Sequence, residues 1–232
     1  MESSSEQAIV SLCGVNLMQS GKLVLADVSM EVMPGEFIYL IGKTGSGKST
    51  LLKTMYAAHT IHSGKGEVCG YSLHEMKEKD IPYLRRKLGF VFQDFQLLTD
   101  RTVYENLSFA LQATGWENQD SIQQRMDDVL AEVGLSGRGG DMPYQLSGGE
   151  QQRLVVARAI LNNPPIILAD EPTGNLDPET TDEIMRLLIK VNREHNTAVF
   201  MATHNYAILN KYPAKIFSCK EQSVYTEKGL IL

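Results

Sequence analysis

Near the start of the chain, short apolar runs are divided by glycines and polar residues, which is the pattern of strands. Strands are expected over residues 8–12, over 28–32 and, after the Pro34-Gly35 turn, over 37–41. A glycine-rich loop then opens into helix formers, and the stretch GEVCGYSL returns to strand character. From about residue 95 to 161 the spacing turns helical, best over 103–112, 121–133 and 150–161. Two apolar strands follow at 166–170 and 198–202, separated by a helix at 179–194. Apolar strands alternating with helices predict an α/β fold with a parallel sheet covered on both faces. The stretch 95–161 is then a helical subdomain inserted into a single elaborated domain of 232 residues, with residues 1–7 as a flexible tail.

Composition narrows the possibilities. Hydrophobic residues make up 43% and charged residues 22%, the range of ordinary globular proteins. No apolar run approaches the roughly 20 residues that cross a bilayer. The opening MESSSEQ is acidic and polar where a signal peptide would be basic then apolar, so the chain is expected in the cytoplasm. A net charge of −6 argues against a broad nucleic-acid clamp, and no nucleic-acid partner is expected. Arg85-Arg86-Lys87 reads as a solvated helix face. Cys13, Cys69 and Cys219 form no C-x-x-C pair and read as reduced thiols without metal. His59, His62, His74 and His195 likewise lack ligand spacing.

Three stretches carry chemistry. Gly42, Lys43, Thr44, Gly45, Ser46, Gly47, Lys48, Ser49 and Thr50 contain the pattern G-x-x-x-x-G-K-[ST], in which backbone N–H groups curl around a polyphosphate. Lys48 would reach the terminal phosphates, and Ser49 would offer its hydroxyl to Mg²⁺. Asp170-Glu171 ends an apolar strand, where ligands sit in an open parallel sheet. Asp170 fits a carboxylate that orients Mg²⁺, and Glu171 is placed to polarise a water for attack on a phosphate. In QLSGGEQQR, Ser147 and Glu150 form a capping box that can start a helix with no ligand involved. Gly148 and Gly149 expose bare N–H groups at the same helix start, which makes it an anion site as well. With a terminal phosphate already assigned to Lys48, a second anion site in so small a domain points to a second copy of the chain.

Leu146-Ser147-Gly148-Gly149-Glu150 resembles the signature of the ABC superfamily of ATP-binding cassettes. Gln93 in VFQD resembles the family's Q-loop glutamine, Asp177 in GNLDPE its D-loop, and His204 in MATHN its switch histidine. The resemblance runs from about residue 9 to 224. It implies a phosphate-loop fold with N-terminal antiparallel strands ahead of the parallel core. It also implies a head-to-tail homodimer with two ATP molecules sandwiched between phosphate loop and opposite signature. Glu171, His204 and Gln93 would then be catalytic, with Gln93 joining Ser49 and Asp170 at Mg²⁺. Two positions depart from the family pattern. Met18 stands where an aromatic usually stacks on adenine, and Asn205 follows His204 where many members have aspartate.

Residues 90–111, FVFQDFQLLTDRTVYENLSFAL, resemble the cell-division cassettes of the superfamily. That likeness implies an integral membrane subunit of the FtsX type, reached from the inner face of the membrane, through which ATP-driven closure controls cell-wall hydrolysis. LADEPTGNLD is shared with lipoprotein-release and macrolide-export cassettes, the alternative assignment. Phe95, Leu97 and Leu98 are expected either to dock the membrane subunit or to belong to the core of the helical insertion.

Overall fold

The two opening strands run much further than their apolar patterns. In the computed structural model, which describes residues 7–227, β1 (Val10–Gln19) and β2 (Lys22–Val32) form one long antiparallel hairpin. Register shifts between Leu12 and Val15 and again before Leu17 break the two-residue alternation, so the outer half reads as loop. Apart from Gln7, the tail expected over 1–7 lies outside the described residues.

The chain continues through β3 (Phe37–Ile41), α1 (Lys48–Met55), β4 (Ser63–Val68), β5 (Tyr71–Ser72), α2 (Ile81–Arg86) and β6 (Leu88–Val91). Three helices then fill the stretch expected to be helical: α3 (Val103–Ala113), α4 (Gln119–Glu132) and α5 (Gly148–Ile160). The last third holds β7 (Ile166–Asp170), α6 (Pro178–His195), β8 (Ala198–Thr203), α7 (Tyr206–Lys211), β9 (Lys215–Lys220) and β10 (Ser223–Thr226). No helix among the described residues is long and apolar enough to cross a membrane.

Two sheets result. One has the order β2-β1-β4-β5, all antiparallel. The other has the order β10-β9-β3-β8-β7-β6, parallel from β9 to β6 with β10 antiparallel at one edge. Successive residues of a strand face opposite ways, and β3 shows the effect. Tyr39 and Ile41 join a core with α3 to α6, whereas Ile38 and Leu40 join a second core with α1 and the antiparallel sheet. Burial on both faces explains why β7 and β8 are continuously apolar.

The helical stretch is fixed by caps and by one buried amide. Thr102 accepts from Glu105 N–H, and Glu105 returns the bond to Thr102 N–H, which starts α3. Asn106 accepts from Leu98 N–H and donates to the carbonyls of Leu98, Arg101 and Thr102, tying residues 98–102 to α3. The basic cluster faces solvent, with Arg85 and Lys87 exposed and Arg86 half-buried, and its side chains also make local contacts. Arg85, Arg86 and Lys87 lie over the rings of Tyr56, Tyr83 and Tyr71 and donate to the carbonyls of Tyr56, Ala113 and Cys69 respectively. His195, at the end of α6, meets Glu132 at the end of α4 with 2.8 Å between Nε2 and Oε1.

Candidate nucleotide site

The phosphate-loop residues follow β3 and turn into α1, so the loop leaves the sheet at the carboxyl end of a central strand. Gly42 passes so close to β9 that a Cβ there would lie 2.4 Å from the Cys219 carbonyl oxygen. Only glycine fits. The Cys219 thiol donates to the Ser46 carbonyl at 2.9 Å, so β9 braces the loop from outside. Burial pushes that thiol's pKa up, which keeps it a neutral packing group. Sequence patterning gave no sign of this brace, because β9 reaches β3 only through long-range parallel pairing. Lys48 is buried, and its ammonium donates to the carbonyls of Gly42 at 2.8 Å and Lys43 at 3.3 Å.

β7 and β8 bring the acidic pair and the histidine alongside, since β8 lies between β3 and β7. Ser49 Oγ donates to Asp170 Oδ1 at 3.0 Å. Glu171 Oε1 lies 3.6 Å from Lys48 Nζ and 2.9 Å from His204 Nδ1, while Glu171 Oε2 accepts from His204 N–H at 3.3 Å. Glu171 also holds a left-handed backbone, φ 49°, unusual for a residue with a side chain. Its N–H donates to Ala202 on β8 and its carbonyl accepts from Gly174, so both sides of the strained residue are tied down. A methyl group on Gly174 would stand 3.6 Å from Gln93 Nε2 and 3.7 Å from Glu171 Cβ, which locates the Gln93 amide beside the same loop. Asn205 caps α7 by accepting from Ala207 N–H at 3.1 Å, a bond that aspartate would make equally well.

Asp170 has a raised pKa, first because it is buried and then because Glu171 is adjacent, although the Ser49 bond and the nearby lysines act the other way. A carboxyl raised in the fold binds its proton more tightly there than in the unfolded chain. Its charge therefore destabilises the fold above the folded pKa, and that penalty is relieved as pH falls through it. Asp170→Asn, which retains a partner for Ser49, is expected to raise the thermal midpoint of the metal-free and nucleotide-free protein by roughly 1–3 °C at neutral pH. The gain should shrink in acid. Calorimetry across pH checks both, and a lowered midpoint at neutral pH would contradict the stated cause.

The signature residues form the exposed start of α5 and make no hydrogen bond, among the described residues, to the phosphate loop of their own chain. Ser147 Oγ accepts from Glu150 N–H at 3.3 Å, and Glu150 Oε2 accepts from Ser147 N–H at 2.8 Å. Arg138 grips the other Glu150 oxygen at 2.5 Å. The Glu150 carboxylate is thus occupied in holding the helix start, while Gly148 and Ser147 remain open to solvent. Asp177 caps α6 through the N–H groups of Glu179 and Thr180, both at 3.0 Å. The two helix starts touch: a Cβ on Gly149 would lie 2.6 Å from Thr180 Cγ2.

Met18 sits on β1 opposite Leu23. A cavity of about 460 Å³ beside the phosphate loop is lined by Gln19, Lys22, Leu23, Gly45, Ser46 and Gln222 among others, and Met18 is not one of them. Leu23, 42% exposed, is the large apolar side chain on that wall.

Ligand-type groups gathered beyond the carboxyl ends of adjacent parallel strands define a phosphate-loop nucleotide cassette. The family model described as ABC transporter matches residues 25–174, and the chain belongs to that family. Within it, the chain is similar to proteins named cell division ATP-binding protein FtsE. It is 44% identical over 210 residues to the one from Streptococcus pneumoniae, covering 90% of each chain. It is 45% identical over 197 residues to the one from Mycobacterium tuberculosis, covering 85% of each. Among solved structures, a dimeric post-hydrolysis state of the ATP-binding cassette MJ0796 bound to ADP and Pi superposes with a TM-score of 0.83 at 34% identity, covering 94% of this chain and 98% of that one.

Proposed function

We propose that this chain is the ATP-hydrolysing subunit of a membrane complex of the FtsE/FtsX kind. The convergence of Lys48, Ser49, Asp170, Glu171 and His204 on one point is the observation that carries the reading. Lys48 binds the terminal phosphates, released from the Gly42 and Lys43 carbonyls it now faces. Glu171 accepts the proton of the attacking water, and His204 holds the γ-phosphate and that water in line. Ser49 Oγ and Asp170 Oδ1 form a hard-oxygen pair of the type Mg²⁺ takes, and Gln93 would join them. Bound there, Mg²⁺ would neutralise charge on the β and γ phosphates.

Ser147, Gly148, Gly149 and Asp177 face the nucleotide held by a second copy, in a closed two-fold pair. This is supported by the exposure of Ser147, Gly148 and Asp177 and by their making no hydrogen bond, among the described residues, to the phosphate loop of their own chain. ATP-driven pairing is then passed to an FtsX-like integral subunit, which holds the cassette on the inner face of the cell membrane and controls cell-wall hydrolysis in division. The FtsE names of its relatives support this role.

Phe95 and Leu97 pack against the core of the helical side, which favours their reading as core. Phe109 on α3, 50% exposed with the Arg101 guanidinium 5.1 Å from its ring, is the better placed apolar anchor for the membrane subunit. Phe109→Glu is expected to leave folding and ATP hydrolysis intact while copurification with the membrane subunit from detergent extracts falls at least tenfold. Cells carrying it should form chains or filaments. Normal division together with mislocalised lipoproteins or lost macrolide resistance would move the function to a lipoprotein-release or export complex.

A further inference from the structure

Gln93 is carried by a loop that its own sequence does not favour. Two residues beyond it, Phe95 and Gln96 are both left-handed, with φ 56° and 48°, and neither is glycine. Consecutive side-chain-bearing residues seldom hold this conformation unaided. The fastener comes from elsewhere in the chain. Arg158, on the last turn of α5, donates through Nη2 to the Phe95 carbonyl at 2.9 Å and through Nη1 to the Gln96 carbonyl at 2.5 Å. Among the described residues no carboxylate pairs with it, and burial lowers its pKa. An arginine placed without a counter-ion against two main-chain oxygens is placed for its geometry. The planar guanidinium spans both carbonyls at once, which an ammonium cannot do.

We infer that Arg158 is a positioning residue for Gln93: by clamping the Phe95 and Gln96 carbonyls, it fixes the turn that holds the Gln93 amide beside Gly174 and Glu171. The inference rests on the proposed ATPase reading and adds a direction to it. Arg158 lies 11 residues beyond Ser147 on one helix, about 16 Å along its axis. The helix start that faces the second copy's nucleotide and the clamp on this chain's Gln93 are therefore two ends of one rigid rod. A small displacement at Ser147 reaches the Gln93 turn without crossing a flexible joint. Because Gln93 belongs to the reacting end of the site and not to the base or ribose, loss of the clamp should lower kcat and leave KM for ATP nearly unchanged.

The test uses the full chain with Arg158→Ala, Arg158→Lys, Gln93→Ala and the Arg158→Ala, Gln93→Ala double variant. Hydrogen exchange without nucleotide reads the clamp directly. The Gln96 amide, bonded to the Asp94 carbonyl at 2.6 Å, should exchange at least about tenfold faster in Arg158→Ala. Steady-state kinetics read its purpose. In Arg158→Ala, kcat is expected to fall about 10–10²-fold, the scale of a misplaced group, with KM within about twofold. Free guanidinium at low millimolar concentration should restore part of it. The double variant should be no slower than the slower single variant, and Arg158→Lys, which can reach one carbonyl, should fall between. Unchanged exchange at Gln96, or losses that multiply in the double variant, would overturn the assignment. A Gln93→Ala protein as fast as wild type would overturn the role of Gln93 itself, even with the clamp shown by exchange. Loss of folding in Arg158→Ala leaves the lysine variant to decide on the same two readouts.

Discussion

Replacing Glu171 with glutamine should cut steady ATP hydrolysis by about 10²–10⁴-fold, the contribution of a positioned general base. The amide keeps an oxygen to accept from the His204 N–H and keeps the size of the side chain, so the left-handed turn at 171 is preserved. Lys48, Ser49 and the open start of α5 are untouched, and ATP binding should persist. Because hydrolysis is what would dissolve the ATP-bound pair, the variant should run as a dimer in size-exclusion chromatography with Mg-ATP where wild type is mostly monomeric. Hydrolysis at the wild-type rate would remove Glu171 from its role. Slow hydrolysis without the dimer would leave the base in place and count against pairing.

Ser147→Asp should abolish ATP-driven pairing, and with it turnover, while each chain still binds ATP on its own phosphate loop. Aspartate is chosen because it caps a helix as well as serine does, whereas loss of the cap alone would cost about 0.5–2 kcal/mol and confuse the outcome. The new carboxylate would stand where a phosphate of the second copy's nucleotide must approach. Its effect is therefore repulsion between chains and not collapse of α5, which circular dichroism can verify. Mixing Ser147→Asp with Lys48→Ala sharpens the result. A mixed pair contains one intact composite site, formed by the loop of the first chain and the helix start of the second. Partial recovery of hydrolysis in the mixture supports the shared site, and no recovery in demonstrated heterodimers refutes it.

The parts of the site that were legible in the sequence are those whose chemistry is local. The loop from Gly42 to Thr50, the Asp170-Glu171 pair and the Ser147 cap each declare themselves within ten residues. Parts made by distant strands were silent. The brace from Cys219, the clamp from Arg158 and the grip of Arg138 on Glu150 join residues that only the folded sheet and helices bring together. Among the elements, β7 and β8 were visible because burial on both faces makes them continuously apolar. The outer half of the β1–β2 hairpin was not, since its register shifts interrupt the alternation on which strand reading depends. β6, β9, β10 and α7 were missed too: the first and third have four residues each, and α7 has six, too few for a period to show. Phe95 and Leu97 read first as surface anchors with core as the alternative, and only their packing separates the two.

The place of β8 in the sheet has a consequence for how the protein is made. It lies between β3 and β7, yet residues 198–203 leave the ribosome after both of those strands. Until they emerge, β3 and β7 have no common neighbour, and Lys48 and Glu171 cannot be held together. A nascent chain that already carries the phosphate loop, the signature and the acidic pair therefore still lacks His204 and the strand that sets Lys48 beside Glu171. It also leaves both edges of β3 and one edge of β7 unpaired for as long as β8 and β9 are missing. Such ordering delays activity until nearly the whole polypeptide exists, and it makes the interval before β8 arrives the period when a holding chaperone matters most to the yield of this protein.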